Sequence, residues 1–365
     1  MSDTATAPTT LRAISRVGIA IALVGALIQL VLGIYYLAMA HSPSPNDLPM
    51  GIVGSQAQQD QLTQQLEADG AFKVEPYDDA AALQQAIRER KAYGGVAFDG
   101  QSPTLYVASA ASPQVANLFK AKYTAAYQDE IASQVEALTA SGAAVPVATV
   151  AALTTPPPVT DVVPLPKEDS GGSSLGFVIQ ALCLGGSIAS LALGRLRGRT
   201  EQSTLRGLGH AGLLVVYALL SSAVGLLAMS LFGVGDGAAH FTLFWGLALI
   251  SLAVTASTAA FVALLGPAGS LIGGLYFTVG LIISGSSIAP EMLPRFGHSI
   301  GQLLPPGAGA TVARDALYFP DASTSAPFVV LGLYSVLGLL VILLSNAAAN
   351  HTRFTRILRR SGTGT

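Results

Sequence analysis

Six long runs of apolar residues, none carrying a charge, restrict this chain more than any other feature of its sequence. They are Val17–Ala40, Leu175–Gly194, Ala211–Gly233, Phe241–Leu265, Ala268–Pro290 and Pro327–Ser345. A helix needs about 20 mostly apolar residues to cross a hydrocarbon core of about 30 Å, and each run is near that length. One such run could be a buried helix of a water-soluble core. Six together point instead to membrane spans. The charged fraction agrees: it is 11%, against about 25% in ordinary soluble domains.

The first run follows Arg12 and Arg16 and ends in Ala38-Met39-Ala40, which looks like a signal-peptidase site. It is longer than the roughly 7–15 apolar residues of a signal peptide, so it is expected to stay in place as an anchor. Arginine recurs between runs two and three (Arg195, Arg197, Arg199, Arg206) and after run six (Arg353, Arg356, Arg359, Arg360). Cytoplasmic flanks attract Lys and Arg. Six spans put all these clusters on one side. The expected layout is a cytoplasmic tail over 1–16, a first span over 17–40 and an extracytoplasmic domain over 41–173. A five-span bundle over 174–347 and a basic cytoplasmic tail over 348–365 complete it. All five lysines lie in the large outer domain, which a long translocated segment tolerates.

Residues 50–140 read as a small α/β unit. Strands are expected at Met50–Gly54, Phe72–Pro76, Gly94–Phe98 and Thr104–Ala108, the last two joined by a turn at Asp99-Gly100. Helices are expected at Ser55–Ala68 and Asp79–Lys91, with Asp79 as a cap. Ser112-Pro113 should start another, because a capping hydroxyl precedes a proline at the first helical position. Its apolar residues run from Val115 to Leu138 at helical spacing. Ala143–Ser173 is rich in proline and small residues and is expected to be an extended, semi-rigid return to the membrane. The fold class is thus a mainly α integral membrane protein, a six-helix bundle with an extracytoplasmic α/β domain between spans one and two.

Some chemistries are excluded. A phosphate-binding loop needs a lysine after a glycine, and no lysine here follows one. The spans hold no Asp or Glu, so coupling to a proton gradient has little support. The five histidines lack metal-ligand spacing. Cys183 is alone, so no intramolecular disulfide can form. No nucleophile or zinc-protease motif appears, and no catalytic, cofactor or metal site is expected. No nucleic-acid partner is expected either.

Several features could serve a function. Gly186, Ser190 and Gly194, and likewise Gly269 and Gly273, recur at four-residue spacing, which suits either packing within the bundle or a dimer seam. Gln29 lies about 18 Å into its span from the cytoplasmic side, and Gln180 about 22 Å in, at 1.5 Å per residue. They could bond each other, line one cavity, or each bond a nearby carbonyl. Residues 291–326 form an outer interfacial or re-entrant segment. Within it Phe296, Ile300, Leu303 and Leu304 make an apolar stripe between Pro294 and Pro305-Pro306. Pro294, Phe296, Pro305 and Arg314 would act as an outer gate, or cap spans five and six. Glu291 with Arg295, and Arg314 with Asp315, are expected as local pairs.

Two stretches carry a likeness to a known family. One is "GIVGSQAQQDQLTQQLEADGAFKVEPYDDAAALQQAIRERKAYGGVAFDG", with Lys91, Tyr93, Gly94 and Gly95 at its motif positions. The other is "SGSSIAPEMLPRFGHSIGQLLPPGAGATVARDALYF", with Pro290, Pro294, Leu304, Pro305, Arg314 and Tyr318. With its one-span, outer-domain, five-span layout, the chain resembles the permease subunits of ABC-2 type transporters, including the related phage-infection (YhgE/Pip) proteins. The resemblance implies an exporter permease for a hydrophobic or amphipathic substrate, located in the plasma membrane. It would work as a homodimer or heterodimer with a separate ATPase that binds ATP and magnesium. Arg195, Arg197, Arg199 and Arg206 would then contact the ATPase, although that loop is short for the family. The competing expectation is a non-transporting receptor or scaffold for envelope or secretion assembly.

Overall fold

A computed structural model gives the architecture and describes residues 7–98, 103–142, 144, 146–152, 157–198, 203–235 and 237–361. Two compact units result, Met1–Pro43 and Ser44–Thr365. The first contains one 34-residue helix, α1 (Ala7–Ala40).

The second unit opens with an α/β region. Its strands are β1 (Leu48–Val53), β2 (Phe72–Pro76), β3 (Gly94–Ala97), β4 (Thr104–Val107) and β5 (Val159–Asp161). They form a five-stranded sheet in the order β2-β1-β3-β4-β5. β1 runs parallel to β2 and β3, β3 pairs antiparallel with β4, and β4 runs parallel to β5. The connections are α2 (Gln56–Glu67), α3 (Ala80–Arg88), α4 (Pro113–Ala140) and the short α5 (Val147–Ala152). The expected caps are made: Asp79 accepts from the Ala82 amide at 2.7 Å, and the Ser112 hydroxyl accepts from the Val115 amide at 3.3 Å. α3 covers one sheet face, with Leu83 pressed against Gly51 and Gly95. A Cβ on either glycine would fall within 2.8 Å of the leucine methyl. α2 and α4 flank the other face.

The return segment departs from the sequence expectation. It is not a plain extended linker, because α5 and β5 lie within it. Backbone pairing explains the strand: the Leu105 amide donates to Pro158 O at 3.1 Å and the Val162 amide to Val107 O at 2.8 Å. An open edge of β4 offers these groups, and an extended segment satisfies them. The turn expected at Asp99-Gly100 lies outside the described residues, but the antiparallel pairing of its two flanking strands is present.

The remaining helices are α6 (Ser174–Gly198), α7 (Thr204–Leu231), α8 (His240–Leu265), α9 (Leu271–Leu275), α10 (Arg295–Gly301), α11 (Pro305–Tyr318) and α12 (Ser325–Ser361). α8 is apolar all round and is buried along most of its length from Leu243 to Ala260, as expected of a helix at the centre of a bundle. α6, α7, α11 and α12 pack around it. The outward faces of α7 and α12 are greasy: Leu220, Val224, Leu227, Leu333, Leu337 and Leu344 are all exposed. Water-soluble monomers rarely expose apolar surface on this scale. Among the described residues, five helical stretches are long and apolar enough to cross a membrane: Gly18–Ala40, Ser174–Gly194, Thr204–Leu231, His240–Gly280 and Ser325–Ala348.

The fifth predicted run needs correction. Ala268–Pro290 is not one helix. Gly266 has φ +67° and ψ −146°, a conformation open to glycine, and the chain turns back there. The reversal is plain at Gly269, where a Cβ would sit 2.1 Å from the Phe261 carbonyl carbon. The return leg is a 3₁₀ turn over 266–270, then α9, then a π-turn over 276–280. Beyond Gly280 it is irregular until Pro290.

Small residues set these contacts. On α6, a Cβ at Gly186 would meet Thr255 and Val254 at 3.2 Å, and Ser190 Oγ donates to Thr255 O at 2.9 Å. Gly273 packs on Ser187 of α6. Both four-residue stripes are therefore used for packing inside one chain.

Candidate functional site

The turn after Gly280 is irregular backbone within the bundle. Residues 281–289 leave the helical ladder, and Gly285 takes φ +80°. Ser284 and Ser286 are buried there. Buried carbonyls without partners would cost about 1–3 kcal/mol each, so what satisfies them matters.

Two side chains from later in the chain do so. Gln302, at the end of α10, donates through Nε2 to Ser284 O at 3.0 Å. Thr311 of α11 donates to Gln302 Oε1 at 2.9 Å and so fixes the amide's orientation. Arg314, also on α11, donates through Nη2 to Ser286 O at 2.9 Å. The Ser284 hydroxyl donates to Ser286 Oγ at 2.8 Å. α10 and α11 must come very close to the turn for this. A Cβ on Gly301 would lie 1.9 Å from Ile283 O, and one on Gly307 would lie 2.1 Å from Gly301 O. Glycine is required at both places by contact alone.

The same helices hold the α/β region. Asp315, next to Arg314, forms an ion pair with Arg90 from the corner after α3. Both side chains are largely buried, 14% and 3% exposed. Arg90 has φ +55°, unusual for a residue with a side chain. Its guanidinium also lies over the Phe319 ring, 5.7 Å from the centroid. Tyr93 donates to Glu291 Oε2 at 2.6 Å. The Asn46 amide donates to Glu291 O at 2.8 Å, and Asn46 Nδ2 to Leu293 O at 3.1 Å. Ala289, Met292 and Phe319 join the apolar core that contains Leu48, Tyr93 and Ala110. The α/β region and residues 289–319 thus share one core.

Burial shapes the charges here. It pulls the Arg90 guanidinium down, but Asp315, together with Tyr93 and Glu291, offsets this and leaves it above the usual arginine value. Arg314 is lowered to about 10, first by burial and then by the positive charge of Arg90. Asp315 is raised by burial, against the pull of Arg90. Tyr93 is pushed up by burial and by the Glu291 carboxylate, so it is a firm hydrogen-bond donor at neutral pH.

Two expected local pairs are replaced. Glu291 accepts from Tyr93 rather than pairing with Arg295, whose Nη2 lies 3.8 Å from Asp47. Asp315 pairs with Arg90 rather than with Arg314. In each case the carboxylate meets a partner on the α/β region some 200 residues away.

The four residues grouped as an outer gate are divided. Pro305 and Arg314 are buried on α11, whereas Pro294 and Phe296 are exposed at the start of α10. The stripe also includes Leu303, which is exposed as well. Gln180 is half-buried on α6. Gln29 lies on α1, in the other compact unit. Arg195 and Arg197 fall in the last turn of α6, Arg206 in the first turn of α7, and Arg199 outside the described residues. Sequence reasoning missed Arg90, Ser284, Ser286, Gln302 and Thr311. A signal was present: "SGSS" is a poor helix sequence inside an apolar run, and it frees carbonyls that some donor must meet.

The fold and this site together define a mainly helical protein with the long apolar helices of a multi-pass membrane protein. Comparison with known protein families, with curated proteins and with solved structures yields no match for this chain.

Proposed function

We propose that this chain is the membrane-spanning permease subunit of an exporter that moves a hydrophobic or amphipathic molecule. In this reading it crosses the membrane six times, with the segmented leg after Gly266 as the fifth crossing. Both termini are cytoplasmic and the α/β region is outside. Two permease units and a separate ATPase form the working complex, and the ATPase supplies the nucleotide site.

One observation carries the proposal. The segmented leg after Gly266 is unwound at 281–289, and the unwound turn is held by Gln302 and Arg314 from the same segment that docks the α/β region through Asp315. Transporters place substrate contacts at broken helices of this kind, where irregular backbone is tolerated because protein surrounds it. The core shared by the α/β region and residues 289–319 supports mechanical coupling between that region and the turn. Charge-free spans favour an apolar substrate over an ion.

The test is vanadate-sensitive ATP hydrolysis by the complex purified with its ATPase, with and without candidate amphiphiles. Stimulation by a substrate, lost in Gln302→Leu with assembly intact, is the expected outcome. Failure to co-purify any ATPase would instead favour the receptor or scaffold reading. One feature favours that second reading already: only residues 199–203 separate α6 from α7, a small face for an ATPase.

A further inference from the structure

The α/β region contains a cavity of about 740 Å³ that the permease reading does not use. It lies between α2, α4 and the sheet face opposite α3. Leu62 and Leu66 of α2 form one wall, and Met50 and Leu105 of the sheet form the floor. The other wall is α4. Its first turns are packed, and Tyr123, Tyr127 and Ile131 continue along the cavity only half-buried. Ligand pockets typically enclose about 300–1,000 Å³ and are mainly apolar, with a few polar groups at defined places. This cavity fits that description.

The polar groups identify the class of occupant. Tyr123 already donates its hydroxyl to Pro103 O. Burial pushes that hydroxyl up to about 12, so it stays a donor and offers no charge. Gln134 donates to Glu130 Oε1 at 2.9 Å, and the Glu130 carboxylate keeps its negative charge, with no ion pair among the described residues. Lys122 carries the opposite charge. It lies at the exposed edge of the cavity and makes no ion pair among the described residues. Glu130 is eight residues further along α4, about 12 Å away at 1.5 Å per residue, so the two charges mark different ends of the cavity. The interior asks for hydrocarbon, the Lys122 end favours an anionic head, and Glu130 disfavours one at the opposite end.

We infer that this cavity binds a single-chain anionic amphiphile, with its hydrocarbon chain along α4 and its head beside Lys122. The inference goes beyond the permease reading and does not depend on ATP. A receptor of this fold would bind the same ligand.

The experiment uses the full-length protein in phosphatidylcholine nanodiscs. The probes are a long-chain fatty acid with a photoreactive group in its chain and the matching fatty alcohol. Adducts are mapped by mass spectrometry. The wild type is expected to label on α2 and α4. Ala126→Trp fills the cavity wall and should cut that labelling about tenfold or more by occlusion. Ala125→Trp, one residue along the same helix and outside the cavity lining, should not change it. Lys122→Gln should raise the concentration of the acid needed for half-maximal labelling several-fold and leave the alcohol unaffected. Adducts confined to the long apolar helices, or undiminished in Ala126→Trp, would overturn the inference. So would equal effects of Lys122→Gln on acid and alcohol. A disulfide between chains carrying Ala126→Cys in a Cys183→Ser background would also overturn it, by showing that a second copy fills the cavity.

Discussion

At the scale of single residues, the buried pair Arg90–Asp315 governs the junction. Two charges taken out of water hold together only while both are present. Arg90→Met should therefore cost about 3–5 kcal/mol, because Asp315 is left buried and unpaired. Arg90→Met combined with Asp315→Leu should recover most of that loss. Thermal unfolding can be followed with a thiol-reactive dye, since Cys183 is the lone cysteine and is buried. If the double variant were no more stable than the single, the pair would not be coupled as described. Gln302 belongs to the same scale. Gln302→Leu keeps the volume but strips the donor from Ser284 O, and should lower stability by about 1–3 kcal/mol. Gly301→Ala would drive a methyl into Ile283 O and should destabilise by about 1–3 kcal/mol or more. Gly274→Ala has open space at its Cβ and serves as the neutral control.

At the scale of elements, the segmented return leg and β5 are the two that hydropathy alone does not reveal. The leg after Gly266 is as apolar as its neighbours, and hydropathy alone reads it as one more straight helix. Its unwinding depends on Gln302, Thr311 and Arg314, which arrive from a different part of the chain. β5 is hidden by its proline-rich setting. Its three residues form a strand only because β4 leaves an edge open. Hydrogen exchange tests this directly. The amides of Leu105, Ala110 and Val162 bond to Pro158 O, Val107 O or Val163 O across the strand and its flanks, and they should exchange slowly. Exchange at the rate of a free linker would rule out the fifth strand. By contrast, α3 and α4 were legible from their caps, because Asp79 and Ser112-Pro113 act locally.

At the scale of the whole molecule, the proposed orientation makes a sharp prediction. In a Cys183→Ser background, a cysteine placed at Ser141 should react with an impermeant thiol reagent added outside intact cells. A cysteine at Ser361 should react only after permeabilisation. Labelling of both from one side would remove the six-crossing layout. The bundle itself is organised around α8, whose small residues let α6, α11 and α12 approach it closely. A Cβ at Gly246 would lie 2.9 Å from Val312, and one at Gly338 would lie 2.6 Å from the Ala256 backbone.

The amino-acid sequence alone determined that this is a chain of long apolar helices joined to an α/β region. That follows because span length, alternation and caps are written in neighbouring residues, and a bilayer or a sheet responds to them one segment at a time. Only the tertiary structure decided where the helix breaks, which carbonyls it frees, and that Arg90 and Asp315, 225 residues apart, meet in a buried pair. Those outcomes depend on which donors reach a buried acceptor once the chain is packed, and no local pattern encodes that distance.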